Sequence, residues 1–564
     1  MSTATVVRGR ADRFSSDLRT ILRDVGSLLV MQSALIGGSV AVSLAFREWY
    51  PAAAFAGSAA LTGAVGLSAR RAFADAPDPK MKHGMIIAAL GWLATAAFGS
   101  LPFLLTAYLT PPAVAATYVP PDAAWDAATV AGRTSRSSLV YFRDPLHAFF
   151  ESMSGWTGSG LTMAVHEPSL PRALQWWRSL IQWVGGVGVI VLTVSILARP
   201  GSGSYALYRS EARERRIHPS IVSTVRTVWK LVVGYTLLSA AALFVALSTT
   251  EYASRLPLWE VGWQALNHAM TGLATGGFSV TDESIATYGS PLVETVLLPT
   301  MTLGAIAFPV HYAVVGERDY RELLGDLQTR WLFVLLGAGV VALSAQNAWS
   351  LGSAPGAFSR AGVLPAGAPV DLRVADAVRD STFQWVSALT CTGFQSAPIG
   401  RWAEGSKVLL SGAMVVGGAA GSTVGGIKVI RAYTVARGIG WQFGRVFLPA
   451  NAVVTARIDG RSLTREAMER EFNEATVVSL LWLLLLAASS VLLVDLVGPS
   501  FSYADALFEV ASAQGNVGLS TGITGPSMPA AAEAMFVVNM WVGRLEIIPV
   551  LVFARSLLYG LEPR

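Results

Sequence analysis

Four short segments carry hydroxyl, small and glycine residues at matching spacing. They read ESMSGWTGSGLT from Glu151, HAMTGLATGGFS from His268, QWVSALTCTGFQ from Gln384 and EVASAQGNVGLS from Glu509. Aligned on Gly160, Gly277, Gly393 and Gly518, they place Ser154, Thr271, Ser387 and Ser512 six residues earlier, and Gly155, Gly272, Ala388 and Ala513 five residues earlier. Subtracting their numbers puts the glycines 117, 116 and 125 residues apart, one per repeat. The chemistry this suggests is coordination of a dehydrated cation by backbone carbonyls. Glycine permits φ > 0, which turns neighbouring carbonyls inward without a Cβ clash. Four such strands around one axis make a filter. Its residues are Gly158, Ser159 and Gly160; Thr275, Gly276 and Gly277; Cys391, Thr392 and Gly393; and Asn516, Val517 and Gly518.

The elements that must hold these strands follow from composition. Hydrophobic residues are 52% of the chain, charged residues 14%, and mean hydropathy is +0.49, values that exclude an ordinary soluble protein and indicate a polytopic membrane protein. A span needs about 20 apolar residues. Ten such runs occur, near 26–48, 52–68, 84–109, 174–198, 221–249, 292–315, 331–350, 406–427, 474–497 and 533–557. The expected fold is all-α, with four span–pore-loop–span repeats around one pore and two extra N-terminal spans. The divisions are 1–83, 84–220, 221–330, 331–473 and 474–564. Clusters at Arg8–Arg23, Arg70–Lys82, Arg199–Lys230, Arg318–Arg330 and Lys428–Arg470 fit cytoplasmic loops and two cytoplasmic termini, with the glycine segments re-entering from outside. The net charge of +5 is thus a topology signal and requires no nucleic acid. The basic N-terminal stretch before the first run reads as a signal anchor.

Non-helical backbone in a bilayer must be sheltered in protein or line water. A two-turn helix before each glycine segment meets that need: Phe149–Thr157, Leu266–Ala274, Thr382–Thr390 and Leu507–Gly515. Their C-terminal ends direct partial negative charge at a cation. Glu151 and Glu509, nine residues before their glycines, read as dipole-stabilising groups near helix N-termini, with a cation vestibule as the alternative; His268 and Gln384 hold the equivalent positions. Asp144 and Asp505 read as helix caps. The GxG pattern at Gly337–Ala342 lies inside an apolar run with no strand before it, so it is not a dinucleotide site. The single cysteine, Cys391, excludes an intrachain disulfide, and no nucleotide, zinc or triad motif suggests an enzyme.

Gly417, Gly418, Gly421, Gly425 and Gly426, with Ser422 and Thr423 among them, interrupt the run 406–427. Each glycine costs about 1 kcal/mol in a helix relative to alanine, so the segment is expected to unwind as a loop; a small-residue packing face is the other reading. Lys428 follows, and either reaches back toward the pore or anchors the cytoplasmic side. Arg544 stands inside the last apolar run, where a charge costs about 2.5–3.5 kcal/mol.

On these residues, and on QWWRSLIQWVGGVGVIVL (Gln175–Leu192), GGAAGSTVGGIKVIR (Gly417–Arg431) and WVGRLEI (Trp541–Ile547), the chain resembles the Trk/Ktr/HKT superfamily of potassium transporters, specifically the bacterial Trk-type pore subunit. The resemblance implies K⁺ as the transported ion, held by filter carbonyls, with Gly160 favouring K⁺ over Na⁺. Cys391 and Asn516 depart from the Thr or Ser commoner in relatives. It further implies a homodimer in the bacterial inner membrane, gated by the loop at Gly417–Lys428 with Arg544 facing the pore as barrier or loop partner. A separate cytoplasmic nucleotide-binding ring (TrkA-type) is implied to dock on 199–230 and 428–470. A Na⁺-permeable transporter of the same fold and the potassium-binding subunit of a Kdp-type complex are the alternatives. A secondary carrier would show inverted twofold repeats, and a scaffold would need no filter register.

Overall fold

A computed structural model describes residues 3–121, 123–197, 221–351, 370–447, 456–458 and 461–560. Among them the chain is almost wholly helical; the only strands are two small hairpins, Ala128–Val130 with Arg133–Ser135 and Ala456–Ile458 with Arg461–Leu463. Two long helices, Thr3–Ala45 and Trp49–Ala72, precede a pattern of leading, middle and trailing helices that recurs four times. The middle helices are Pro145–Thr157, Leu258–Leu273, Val370–Leu389 and Tyr503–Gly515. All begin earlier than the two-turn helices expected: Pro145 opens the first at its first helical position, and Ser502 caps the last one through a capping box with Asp505. Asp505 is therefore the cap's reciprocal partner; Asp144 does cap, accepting from Leu146 N at 2.8 Å.

Among the described residues six helices are long and apolar enough to cross a membrane, or eight if two bent pairs each count as one span, and the protein is a multi-pass membrane protein. The bends fall at Ile306–Ala307 (108°) and at Glu546 (115°). The runs at 292–315 and 533–557 are thus broken rather than continuous. The run 174–198 forms the helix Arg172–Leu197, whose side chains are described to Gly188. The run 406–427 is helical only as far as Val416.

Two compact units result. One comprises Met1–Trp156, Thr162–Ile181 and Gly525–Arg564; the other Thr157–Leu161 and Gln182–Thr524. In the first, the two N-terminal helices cross with Gly26 against Gly66, so closely that a Cβ on Gly26 would lie 2.8 Å from Gly66 O. Ile21, Val25, Ile86 and Ile87 pack with Val552 and Phe553, and Trp541 donates to Ala89 O at 3.0 Å. In the second, one core gathers Leu243, Val261, Leu297, Met301, Phe383 and Phe394 around the middle helices of repeats two and three.

Candidate ion-conducting site

All four glycine strands belong to the second unit, where they close a ring. A Cβ on Gly160 would overlap the carbonyl oxygen of Gly276; on Gly277, that of Thr392; on Gly393, that of Val517; and on Gly518, that of Ser159. Each glycine thus faces the carbonyl preceding the next glycine, in chain order, and the fourth returns to the first. Their φ values are +81°, +76°, +81° and +103°, a region that L side chains rarely adopt. Glycine is required here twice over, by the dihedral and by the close approach.

Local chemistry explains the sequence columns. Gly276, Thr392 and Val517 each donate 2.9 Å backbone bonds to the carbonyl of Thr271, Ser387 and Ser512, while Thr275, Cys391 and Asn516 donate to Gly272, Ala388 and Ala513. That pair of bonds is the Schellman ending of a helix, which needs a left-handed residue. Thr275, Cys391 and Asn516 supply it at φ of +51°, +51° and +54°, and Gly158 has +71°. The recurrent hydroxyl ties the strand back to its helix: Thr271 donates to Phe278 O and Ser387 to Phe394 O, both at 2.8 Å, and Ser512 accepts from Gly518 N at 3.0 Å. The small column leaves room beneath; a Cβ on Gly272 would already press Phe394 at 3.0 Å. Gln182, which sequence reasoning passed over, clamps strand two by donating to Gly276 O (2.6 Å) and accepting from Phe278 N (2.9 Å).

The helix Glu404–Val416 ends at Gly417 and the chain resumes as a helix at Val429. Between them the buried loop lies against the helix ends that feed strands two and four. Thr423 Oγ1 is 2.9 Å from Thr275 Oγ1, and a Cβ on Gly425 would overlap Gly515 O. The same loop explains the bend at Ile306. The freed carbonyls of Gly304 and Ala305 accept from Thr423 N and Ala419 N, Phe308 N donates to Gly421 O, and Gln328 accepts from Ala420 N at 2.7 Å. Helix-end groups that would otherwise be orphaned in a nonpolar medium are paired by the loop. Gly417, Gly421 and Gly426 take φ of +68°, +77° and +75°, Gly418 abuts Ala305, and Ser422 bonds within the loop to Ala419 O. Lys428, at φ +80°, turns its ammonium back onto Val424 O. Arg544 belongs to the first unit, buried on the last turn before the bend at Glu546.

Glu151 and Glu509 are not near helix N-termini. Each is the seventh residue of a thirteen-residue helix and fully buried. A dipole role requires the first turn, and neither carboxylate faces a vestibule: each bonds to the chain after its glycine.

In this multi-pass helical protein four loops thus close a glycine ring beside a buried, glycine-rich loop. Comparison with known proteins gives the family. Residues 83–559 match the TrkH family, described as cation transport protein, and the chain belongs to that family, one of ion transporters rather than enzymes. An uncharacterized cation transporter of Methanocaldococcus jannaschii is 29% identical over 481 residues, 85% of this chain and 84% of that one. The Trk system potassium uptake protein TrkH of Halomonas elongata is 29% identical over 542 residues, 95% and 98% of the two chains. In fold, the chain is similar to the crystal structure of the potassium transporter TrkH from Vibrio parahaemolyticus, with TM-score 0.74 and 23% identity over 96% of this chain and 99% of that one.

Proposed function

We propose that this protein carries K⁺ into the cell across the bacterial inner membrane, through a filter made by Gly158–Gly160, Thr275–Gly277, Cys391–Gly393 and Asn516–Gly518. The observation that carries this is the ring closure: four glycines, each against the carbonyl before the next. Carbonyls arranged in a ring replace the ion's hydration shell, and the negative ends of the middle helices lower the energy of a cation beside them. The potential alone drives uptake, supplying about 2.3 kcal/mol per 100 mV for each inward charge.

The loop Gly417–Lys428 is the gate. Its bonds to Gly304, Ala305, Phe308 and Gln328 hold it shut under the filter, and displacing it opens the path. Arg544 is assigned, on the resemblance, an electrostatic barrier along that path. The protein works as a homodimer with both termini cytoplasmic. A nucleotide-binding ring of TrkA type moves the gate by docking on the basic segments 199–230 and 428–470, of which 199–220, 448–455 and 459–460 lie outside the described residues. The names of relatives as potassium uptake proteins support the choice of ion.

The test is ion uptake into proteoliposomes holding the purified chain. Saturable K⁺ and Rb⁺ uptake over Na⁺, abolished by Gly393→Asp, is expected. Equal Na⁺ uptake would overturn the selectivity assignment.

A further inference from the structure

Strands two, three and four of the ring are secured on their helix side by Schellman bonds, but the chain after each glycine is neither helix nor strand. Irregular backbone that is buried needs partners from side chains. In every repeat one side chain of the middle helix bonds to this limb, always from the position nine residues before the glycine; in repeats one and four it takes backbone N–H groups, in repeats two and three side-chain hydroxyls. Glu509 accepts from Thr521 N (2.8 Å), Ile523 N (3.1 Å), Ser520 Oγ (2.6 Å) and Thr524 Oγ1 (2.7 Å), with Thr521 Oγ1 at 3.3 Å. Glu151 accepts from Met163 N (2.8 Å), Thr162 Oγ1 (3.0 Å) and Arg178 Nε (2.7 Å). His268 Nε2 meets Ser279 Oγ at 2.9 Å, and Gln384 Nε2 donates to Ser396 Oγ at 3.0 Å. All four side chains are essentially inaccessible to solvent.

We infer that Glu151, His268, Gln384 and Glu509 form a fourfold set of positioning residues that hold the outer limbs of the filter strands and thereby set ion discrimination. The proposal rests on the filter reading above. The set is chemically uneven. The two carboxylates gather backbone N–H groups and hydroxyls together, whereas His268 meets the hydroxyls of Ser279 and Tyr288 and Gln384 that of Ser396, so strands one and four are the more tightly fixed. Glu509 accepts from the backbone at Thr521 and Ile523, three and five residues past Gly518. Without that carboxylate, the buried N–H of Ile523 and the half-buried N–H of Thr521 lose their acceptor, and the strand must shift to find water. The carbonyls just before it then leave the spacing that separates K⁺ from Na⁺.

The experiment compares K⁺ and Na⁺ uptake by proteoliposomes of the full chain and three variants: Glu509→Ala, Glu509→Gln and Thr524→Val. The Na⁺-to-K⁺ uptake ratio is expected to rise about tenfold in Glu509→Ala, a change of about 1.4 kcal/mol in discrimination, with K⁺ uptake still present. Glu509→Gln, which keeps an acceptor oxygen for the N–H groups, restores most of the discrimination. Thr524→Val, which removes one hydroxyl, raises the ratio two- to threefold. Variants that discriminate as well as the parent would overturn the proposal and leave the filter reading intact. If Glu509→Ala does not fold, parent-like ratios in both other variants overturn it equally. A parent that does not discriminate would remove the filter reading and this proposal together.

Discussion

Replacing Gly393 by alanine separates the effect of the ring contact from that of backbone strain. The new Cβ falls on the Val517 carbonyl, 2.7 Å from its carbon and 2.9 Å from Gly518 Cα, where ordinary contact begins at 3.4 Å. Relieving the contact with the carbon alone takes about 0.7 Å and the overlapped oxygen needs more, so strand four must withdraw beyond the roughly 0.5 Å within which a binding constellation keeps its geometry. The left-handed dihedral adds about 1–2 kcal/mol of strain. Gly289 is the matched control: its φ is +55°, but a Cβ there meets nothing within 4 Å. Gly289→Ala should thus cost stability of about 1 kcal/mol and leave ion discrimination unchanged, whereas Gly393→Ala should lose at least tenfold, or about 1.4 kcal/mol. Competition of Na⁺ against Rb⁺ uptake in proteoliposomes, with thermal unfolding in parallel, reads both quantities. Equal discrimination in the two variants would refute the ring as the element that selects the ion.

Three further outcomes are expected. Thr423→Val removes the hydroxyl that donates to Gly304 O and meets Thr275, two bonds of about 1 kcal/mol each. The closed gate should weaken five- to thirtyfold, seen as raised K⁺ uptake without any partner protein. Lys407 is buried against Asp505 at 2.6 Å, tying the helix that precedes the gate loop to the fourth middle helix. Lys407→Ala removes the cation beside a buried carboxylate, which keeps its bonds from Ser502, and should destabilise the protein by about 3 kcal/mol, seen as a fall in Tm. Glu48, in the turn between the first two helices, caps the helix Arg172–Leu197 through Arg172 N (2.7 Å) and Ala173 N (3.0 Å). Burial nonetheless raises its carboxyl above the ordinary value of 4.5. A raised folded pKa means that the folded state binds the proton more tightly. The contribution is then complete below pH 4.5 and lost as pH climbs through the folded value. Glu48→Gln should remove that part of the dependence of Tm on pH.

The register of the four glycine segments was legible in the sequence because each column has a local cause. The hydroxyl fastens the strand to its own helix, the small residue gives clearance, and the glycine takes a dihedral closed to other residues. The interruption after Val416 was legible for the same reason, since clustered glycines weaken a helix wherever they stand. The bend at Ile306 was not, for its cause is remote. The carbonyls of Gly304 and Ala305 are freed to pair with a loop more than a hundred residues later, while Pro299, the local breaker, sits inside an unbroken helix. The bend at Glu546 likewise has no glycine or proline at the break. Glu151 and Glu509 were misplaced because their role depends on the return of the chain past the glycine, which spacing along one helix does not reveal. The run at 406–427 kept its apolar character while losing its helix, so a count of apolar stretches overstates the number of continuous spans.

The most direct measurement is a crystal structure of the protein soaked in Rb⁺, with the cation located by anomalous scattering. The account predicts a peak inside the ring of Gly160, Gly277, Gly393 and Gly518, which disappears in Gly393→Asp and is displaced by K⁺ in preference to Na⁺. An ordered Rb⁺ elsewhere on the path with none in the ring would contradict it.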